Sequence, residues 1–139
     1  MKPVLKVATV ALLLVNGISG VYGGLSLIMY PDGSSMHLSP DLLAFSFFDS
    51  YLVPGIILLL TNGFFSIYVF AALILSHKKY WRLVALQGII LILWLVAQIA
   101  LIRVIHYLHL VMFAVGAALV GIGLLSEDYR SGEIADDSV

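Results

Sequence analysis

The chain contains no cysteine, and only 11% of its 139 residues carry charge. The first absence excludes disulfides, thiolate metal ligands, thiol nucleophiles and cysteine-attached haem. The second excludes an ordinary water-soluble domain, which needs about 25% charged residues to wet its surface. No acidic residue falls inside a long apolar stretch, so a proton-driven transporter would lack its usual titratable group. No arginine ladder is present for voltage sensing, and four such apolar helices leave little lining for a wet pore. Gly-x-Ser-x-Gly elbows, phosphate loops and His-Glu-x-x-His pairs are missing too. A net charge of −1 offers nothing to nucleic acid.

What remains is hydrophobic: 62% of the residues, with a mean hydropathy of +1.10. Crossing a bilayer takes roughly 20 apolar residues in a helix, and helix is the conformation that pairs its own backbone in lipid. Four stretches qualify, at about 7–29, 52–75, 83–102 and 107–125. The expected fold is an all-α, antiparallel four-helix transmembrane bundle in one domain, 1–126. Residues 127–139 hold Glu127, Asp128, Glu133, Asp136 and Asp137 and read as a disordered acidic tail.

Basic residues set the direction. Lys2, Lys6, Lys78, Lys79, Arg82 and Arg130 lie on one side, and only Arg103 lies on the other. The bias places both termini in the cytoplasm of a multi-pass protein. Lys2, Lys6 and the apolar run ending at Ile18-Ser19-Gly20 also resemble a signal peptide. The run continues to Met29, longer than such signals, and is read as a span.

The outer loop, residues 30–51, opens with Pro31-Asp32-Gly33-Ser34, a β-turn pattern. Ser39-Pro40-Asp41 then reads as a helix start, followed by Leu42, Leu43, Ala44, Phe45, Phe47 and Phe48. A short interfacial helix over 40–48 is expected. Gly20 and Gly24 form a small-xxx-small face, for packing inside the bundle or for a homodimer seam. Leu12 to Tyr22 also resembles Leu58 to Tyr68, each with a central Asn-Gly, a match that leucine-rich spans produce by chance.

Polar residues inside spans are functional candidates by default. Asn16 and Asn62 fall at similar depth, roughly 5 Å apart by helix rise, and suit an interhelical amide pair. Gln98, Arg103, His106 and His109 gather at the outer turn between the third and fourth spans, with His37 and Asp49 in the loop on the same side. His106 and His109 share a helix face and could together hold a metal, although the spacing matches no recognised metal motif. The bland alternative is interfacial side chains bonded to headgroups and water. No cofactor is implied.

Gly23-Gly24-Leu25-Ser26-Leu27-Ile28-Met29-Tyr30-Pro31-Asp32-Gly33-Ser34 and Phe47-Phe48-Asp49-Ser50-Tyr51-Leu52-Val53-Pro54-Gly55 resemble a pattern in small uncharacterised bacterial four-helix membrane proteins. Gln98 and His109 fit that pattern as well. The resemblance implies a compact bundle in a bacterial inner membrane and no particular substrate. Two functional expectations follow. One is a non-enzymatic structural or accessory protein that packs against itself or a larger membrane complex, with lipids as its other partners. The other is a site for a lipid, small ligand or metal, built by the 30–50 loop over Gln98, Arg103, His106 and His109.

Overall fold

The computed structural model describes residues 2–43, 46–103 and 105–137. Regular structure among them is entirely helical. Four helices are long and apolar enough to cross a membrane: α1 (Pro3–Met29), α2 (Leu52–Ile74), α3 (Tyr80–Ile102) and α4 (Tyr107–Asp137). Pro3 opens α1, where its missing N–H costs nothing, and Pro31 ends it one residue beyond Tyr30. Large apolar side chains cover the outside, with Val4, Ile18, Tyr22, Leu93 and Leu110 all more than 60% exposed. Water does not tolerate such a belt; hydrocarbon does.

The bundle is two hairpins side by side. α1 packs along α2 and α3 along α4, while contacts between the two pairs are sparser. Apolar burial drives little association in lipid, so the pairs rely on close backbone approach. A Cβ on Gly20 would lie 2.6 Å from backbone atoms of Asn62 and Gly63, and one on Gly24 would lie 2.8 Å from the Leu59 backbone. The α3–α4 pair repeats the device, with a Cβ on Gly88 falling 2.6 Å from the Gly116 carbonyl oxygen and one on Gly123 falling 2.7 Å from the Ala85 nitrogen. The face carrying Gly20 and Gly24 therefore sits against α2, inside the bundle.

The middle of α2, Leu59–Phe64, is a π-helical turn. Such a turn widens the helix and re-aims its side chains. Here it carries Asn62 into the bundle centre, where the residue is 1% exposed. The Thr61 hydroxyl donates back to the Ile57 carbonyl at 2.6 Å, a bond that accompanies bent helices.

The four helices close on one apolar core, which runs from Leu73 and Val84 near the bend at Lys78 to Leu91 and Leu95 further along α3. It contains Leu13, Val69, Leu73, Val84, Leu91, Leu95, Val115 and Leu119. At the opposite end lie residues 30–51 and the turn after Arg103. The two ends differ sharply.

Two expectations change. In place of a helix over 40–48 stands a four-residue 3₁₀ turn, Pro40–Leu43, following another at Ser34–Met36; Ala44 and Phe45 of that expectation lie outside the described residues. Ser46 explains the stop. Its hydroxyl donates to the Leu43 carbonyl at 2.9 Å and accepts from the Phe48 N–H at 3.2 Å, so the side chain takes bonds a helix would need. The tail differs as well, because α4 continues to Asp137. The chain has no proline after Pro54, and extending an existing helix costs far less than starting one.

The loop is stapled down. Gly33 N–H donates to the Tyr30 carbonyl at 2.9 Å, closing a turn with Pro31 and Asp32 at its corners. Gly33 itself has φ +82°, and any Cβ there would strike Leu38 and the Tyr51 ring. Ser34 N–H donates to Asp32 Oδ1 at 3.0 Å, which holds that exposed carboxyl below its ordinary range. Tyr51 is the main clamp: its N–H donates to the Pro31 carbonyl and its hydroxyl to the Ser39 carbonyl, each at 2.8 Å. The ring packs on Leu27 and Leu43.

Burial pushes the Tyr51 phenol above its ordinary value of 10.0. The folded loop thus holds the phenolic proton more tightly than the unfolded chain does. Its stabilising effect is complete below about pH 10 and is lost as pH climbs through the raised folded value. Limited proteolysis of the loop is expected to accelerate above pH 10 in the wild type. Tyr51→Phe should be cut faster at neutral pH, having lost a bond worth about 1 kcal/mol, and should lack the alkaline step. An unchanged step in the variant would assign it to another group.

Candidate functional site

Between the two hairpins, on the loop side of the apolar core, the packing opens into a cleft. Its deep compartment, about 220 Å³, is walled by Asn16, Ser19, Gly20 and Gly23 of α1, Leu58 and Asn62 of α2, and Trp94, Leu95 and Gln98 of α3. Leu91 of α3, Leu108 and Met112 of α4 and Met36 of the loop complete it. A mouth compartment of about 330 Å³ shares Met36, Leu95, Gln98, Leu108 and Met112 and adds Leu38, Leu42, His106 and His109. A small side pocket under the loop, about 30 Å³, again touches Gln98, together with Trp94 and Tyr51. Gln98 stands at the junction of all three.

The cleft exists because the sequence fails to fill it. Gly23 presents no side chain between Leu58 and Met36, two residues of the lining. The loop staple then hangs Met36, Leu38 and Leu42 over the gap.

Polar groups mark the depth. Asn16, Asn62, Ser66 and Gln87 are each 1% exposed or less. The Ser66 hydroxyl donates to the Leu13 carbonyl at 2.8 Å, tying α2 to α1. Gln87 Nε2 donates to Asn62 Oδ1 at 3.4 Å, the polar link between the hairpins, and Asn62 Nδ2 donates to the Thr61 hydroxyl at 3.2 Å. Two ends of this set stay unpaired: Asn16 Nδ2 and Gln87 Oε1. An unmade bond on a buried amide costs about 1–3 kcal/mol. Asn16 and Asn62 thus share the cleft floor, but the partner of Asn62 is Gln87.

At the mouth, the two histidines cap α4. Leu108 N–H donates to His106 Nδ1 at 3.3 Å, and His106 N–H donates to His109 Nδ1 at 2.9 Å. This is the reciprocal arrangement of a capping box, with the third helical residue reaching back to the cap residue. Both Nδ1 lone pairs are engaged, which leaves Nε2 of each neutral ring as the N–H donor. A metal held by the pair through Nδ1 would have to displace these caps. No group of three His, Cys, Asp or Glu side chains comes together among the described residues. Arg103 ends α3 at φ 57°, exposed and outside the cleft lining. His37 and Asp49 are exposed on the loop and are not part of the cleft lining. Of the six residues singled out at this end, the cleft gathers Gln98, His106 and His109.

Sequence reasoning missed Trp94, Leu95, Met112 and the loop's Met36 and Leu38, apolar residues with no polar signature. It also missed Gln87 as the partner of Asn62, for which a depth signal existed.

No family model matches this sequence, and no curated protein or solved structure is detectably similar to it.

Proposed function

We propose that this chain is a multi-pass protein of a bacterial inner membrane that holds a small lipophilic ligand in the cleft, entered from the outer leaflet. The observation that carries the reading is the joined cleft itself, apolar in its walls, polar at its floor and mouth, and of a size suited to small molecules. Both termini and the Lys78–Lys79 bend lie in the cytoplasm, and the 30–51 loop lies outside at the interface. The lysine and arginine asymmetry supports that direction. The fully exposed Phe47, at 98%, suits a loop resting on lipid. An accessory role in a larger assembly has less support, because the Gly20–Gly24 face that would dock a partner is occupied within the bundle.

The absence of cysteine makes the direction testable with single substitutions. A membrane-impermeant maleimide is expected to label Asp49→Cys in intact cells and Lys78→Cys only after permeabilisation. The reverse pattern overturns the topology. Occupancy is read from two tryptophans, since Trp94 lines the cleft and Trp81 does not. In detergent, 1-bromododecane should quench Trp94 saturably in a Trp81→Phe protein and quench Trp81 only linearly in a Trp94→Phe protein. Equal, non-saturating quenching of both would remove the binding site.

A further inference from the structure

The cleft floor holds an amide without a partner. Asn16 is 1% exposed, its Nδ2 finds no acceptor, and it lines the deep compartment. Asn62, the other amide of the lining, bonds elsewhere: its Oδ1 accepts from Gln87 and its Nδ2 donates to Thr61, while the unpaired Gln87 Oε1 is not part of the cleft lining. The terminal torsion of asparagine is soft, so the amide turns in place without moving α1. No Asp, Glu, Lys or Arg appears in the lining of any of the three compartments. A charged ligand would therefore be buried without a counter-ion, at heavy cost. A hydrocarbon would leave Asn16 unpaired.

From this we infer that the cleft selects a neutral, lipophilic carbonyl compound, with Asn16 Nδ2 donating to the carbonyl oxygen and the apolar chain lying along Leu91, Leu95 and Met112 towards the mouth. A carbonyl accepts without bringing a donor that would need its own partner, so it satisfies Asn16 and leaves nothing new unpaired. Lone water would also satisfy Asn16, but it would leave the apolar walls above it unfilled. The inference rests on the cleft being a binding site and goes further by naming the chemistry recognised there.

The test compares two probes of matched length, 12-bromododecan-2-one and 1-bromododecane, on the full chain carrying Trp81→Phe. Both are expected to quench Trp94 saturably, the ketone with about tenfold higher affinity. Asn16→Leu should erase the preference while keeping hydrocarbon binding. Saturable binding of neither probe overturns the cleft as a site. Equal binding of both, unchanged by Asn16→Leu, overturns only the carbonyl inference. A second measurement needs no variant: the infrared carbonyl stretch of the bound ketone should lie below its frequency in empty micelles. An unshifted band means that no donor reaches the oxygen, and the inference fails even if Asn16→Leu does not fold.

Discussion

Gly20→Val is expected to separate α1 from α2 and to cost about 3 kcal/mol or more, the upper range for overpacking, because the obstacle is backbone. The nearest atoms to a new Cβ are the Asn62 carbonyl carbon and the Gly63 nitrogen, both at 2.6 Å. Neither moves without moving α2, and the π turn there already holds a fixed shape. A flexible side chain would swing aside; a helix backbone cannot. The control is Gly121→Ala on α4, where a Cβ meets nothing within 4 Å and the change should stabilise by up to about 1 kcal/mol through helix propensity. Thermal midpoints in one mild detergent, followed by size-exclusion of the surviving monodisperse protein, provide the comparison. Equal midpoints for the two variants would refute the close approach. A lost oligomer with an unshifted midpoint would move the glycine face from the inside of the bundle to a dimer seam.

The helices themselves were legible because bilayer thickness writes their lengths into hydropathy. Three of the four helix starts and ends fall within a few residues of the apolar runs, and Pro31 marks the end of α1 plainly. The exception is α4, whose continuation depends on cooperativity, a property that composition does not encode. The loop was half legible. Pro31 to Ser34 signalled its turn, but Ser46 looked like an ordinary polar residue inside an apolar run, and its capture of Leu43 and Phe48 depends on local geometry. Asn16 and Asn62 were visible as polar residues at one depth. Gln87 was visible in the same way: at about 1.5 Å per residue it lies roughly 22 Å below the loop-side end of α3, against roughly 20 Å for Asn16 in α1. What the sequence cannot carry is which amide faces which, because four helices of low amphipathicity leave their rotations to glycine packing. The cleft was the least legible feature of all, being made from what is missing between the hairpins.

The second large effect follows from that amide arrangement. Asn62→Leu removes the acceptor of Gln87 Nε2, and Gln87 Oε1 is unpartnered already, so a whole amide would be stranded at 0% exposure. The expected loss is about 1–3 kcal/mol. Gln87→Met strands only Asn62 Oδ1, removes the unpaired Oε1 along with it, and should cost less. Asn62→Leu with Gln87→Met leaves neither amide and should recover most of the first loss. The combination is then more stable than the sum of the single effects by about 1 kcal/mol or more, whereas independent sites add to within about 0.5 kcal/mol. A hydrogen bond between membrane helices contributes only about 0.6 kcal/mol on average, so the recovery must come from unstranding the amides and not from any new contact. Strict additivity across the four thermal midpoints would refute the link between the hairpins. The doubly substituted protein also separates structure from recognition. It keeps Asn16, Gln98 and the apolar walls, so it should still prefer the bromoketone over the bromoalkane. If the preference vanished with the Asn62–Gln87 pair while Asn16 remained, the donor at the floor would be part of that pair and Asn16 a bystander.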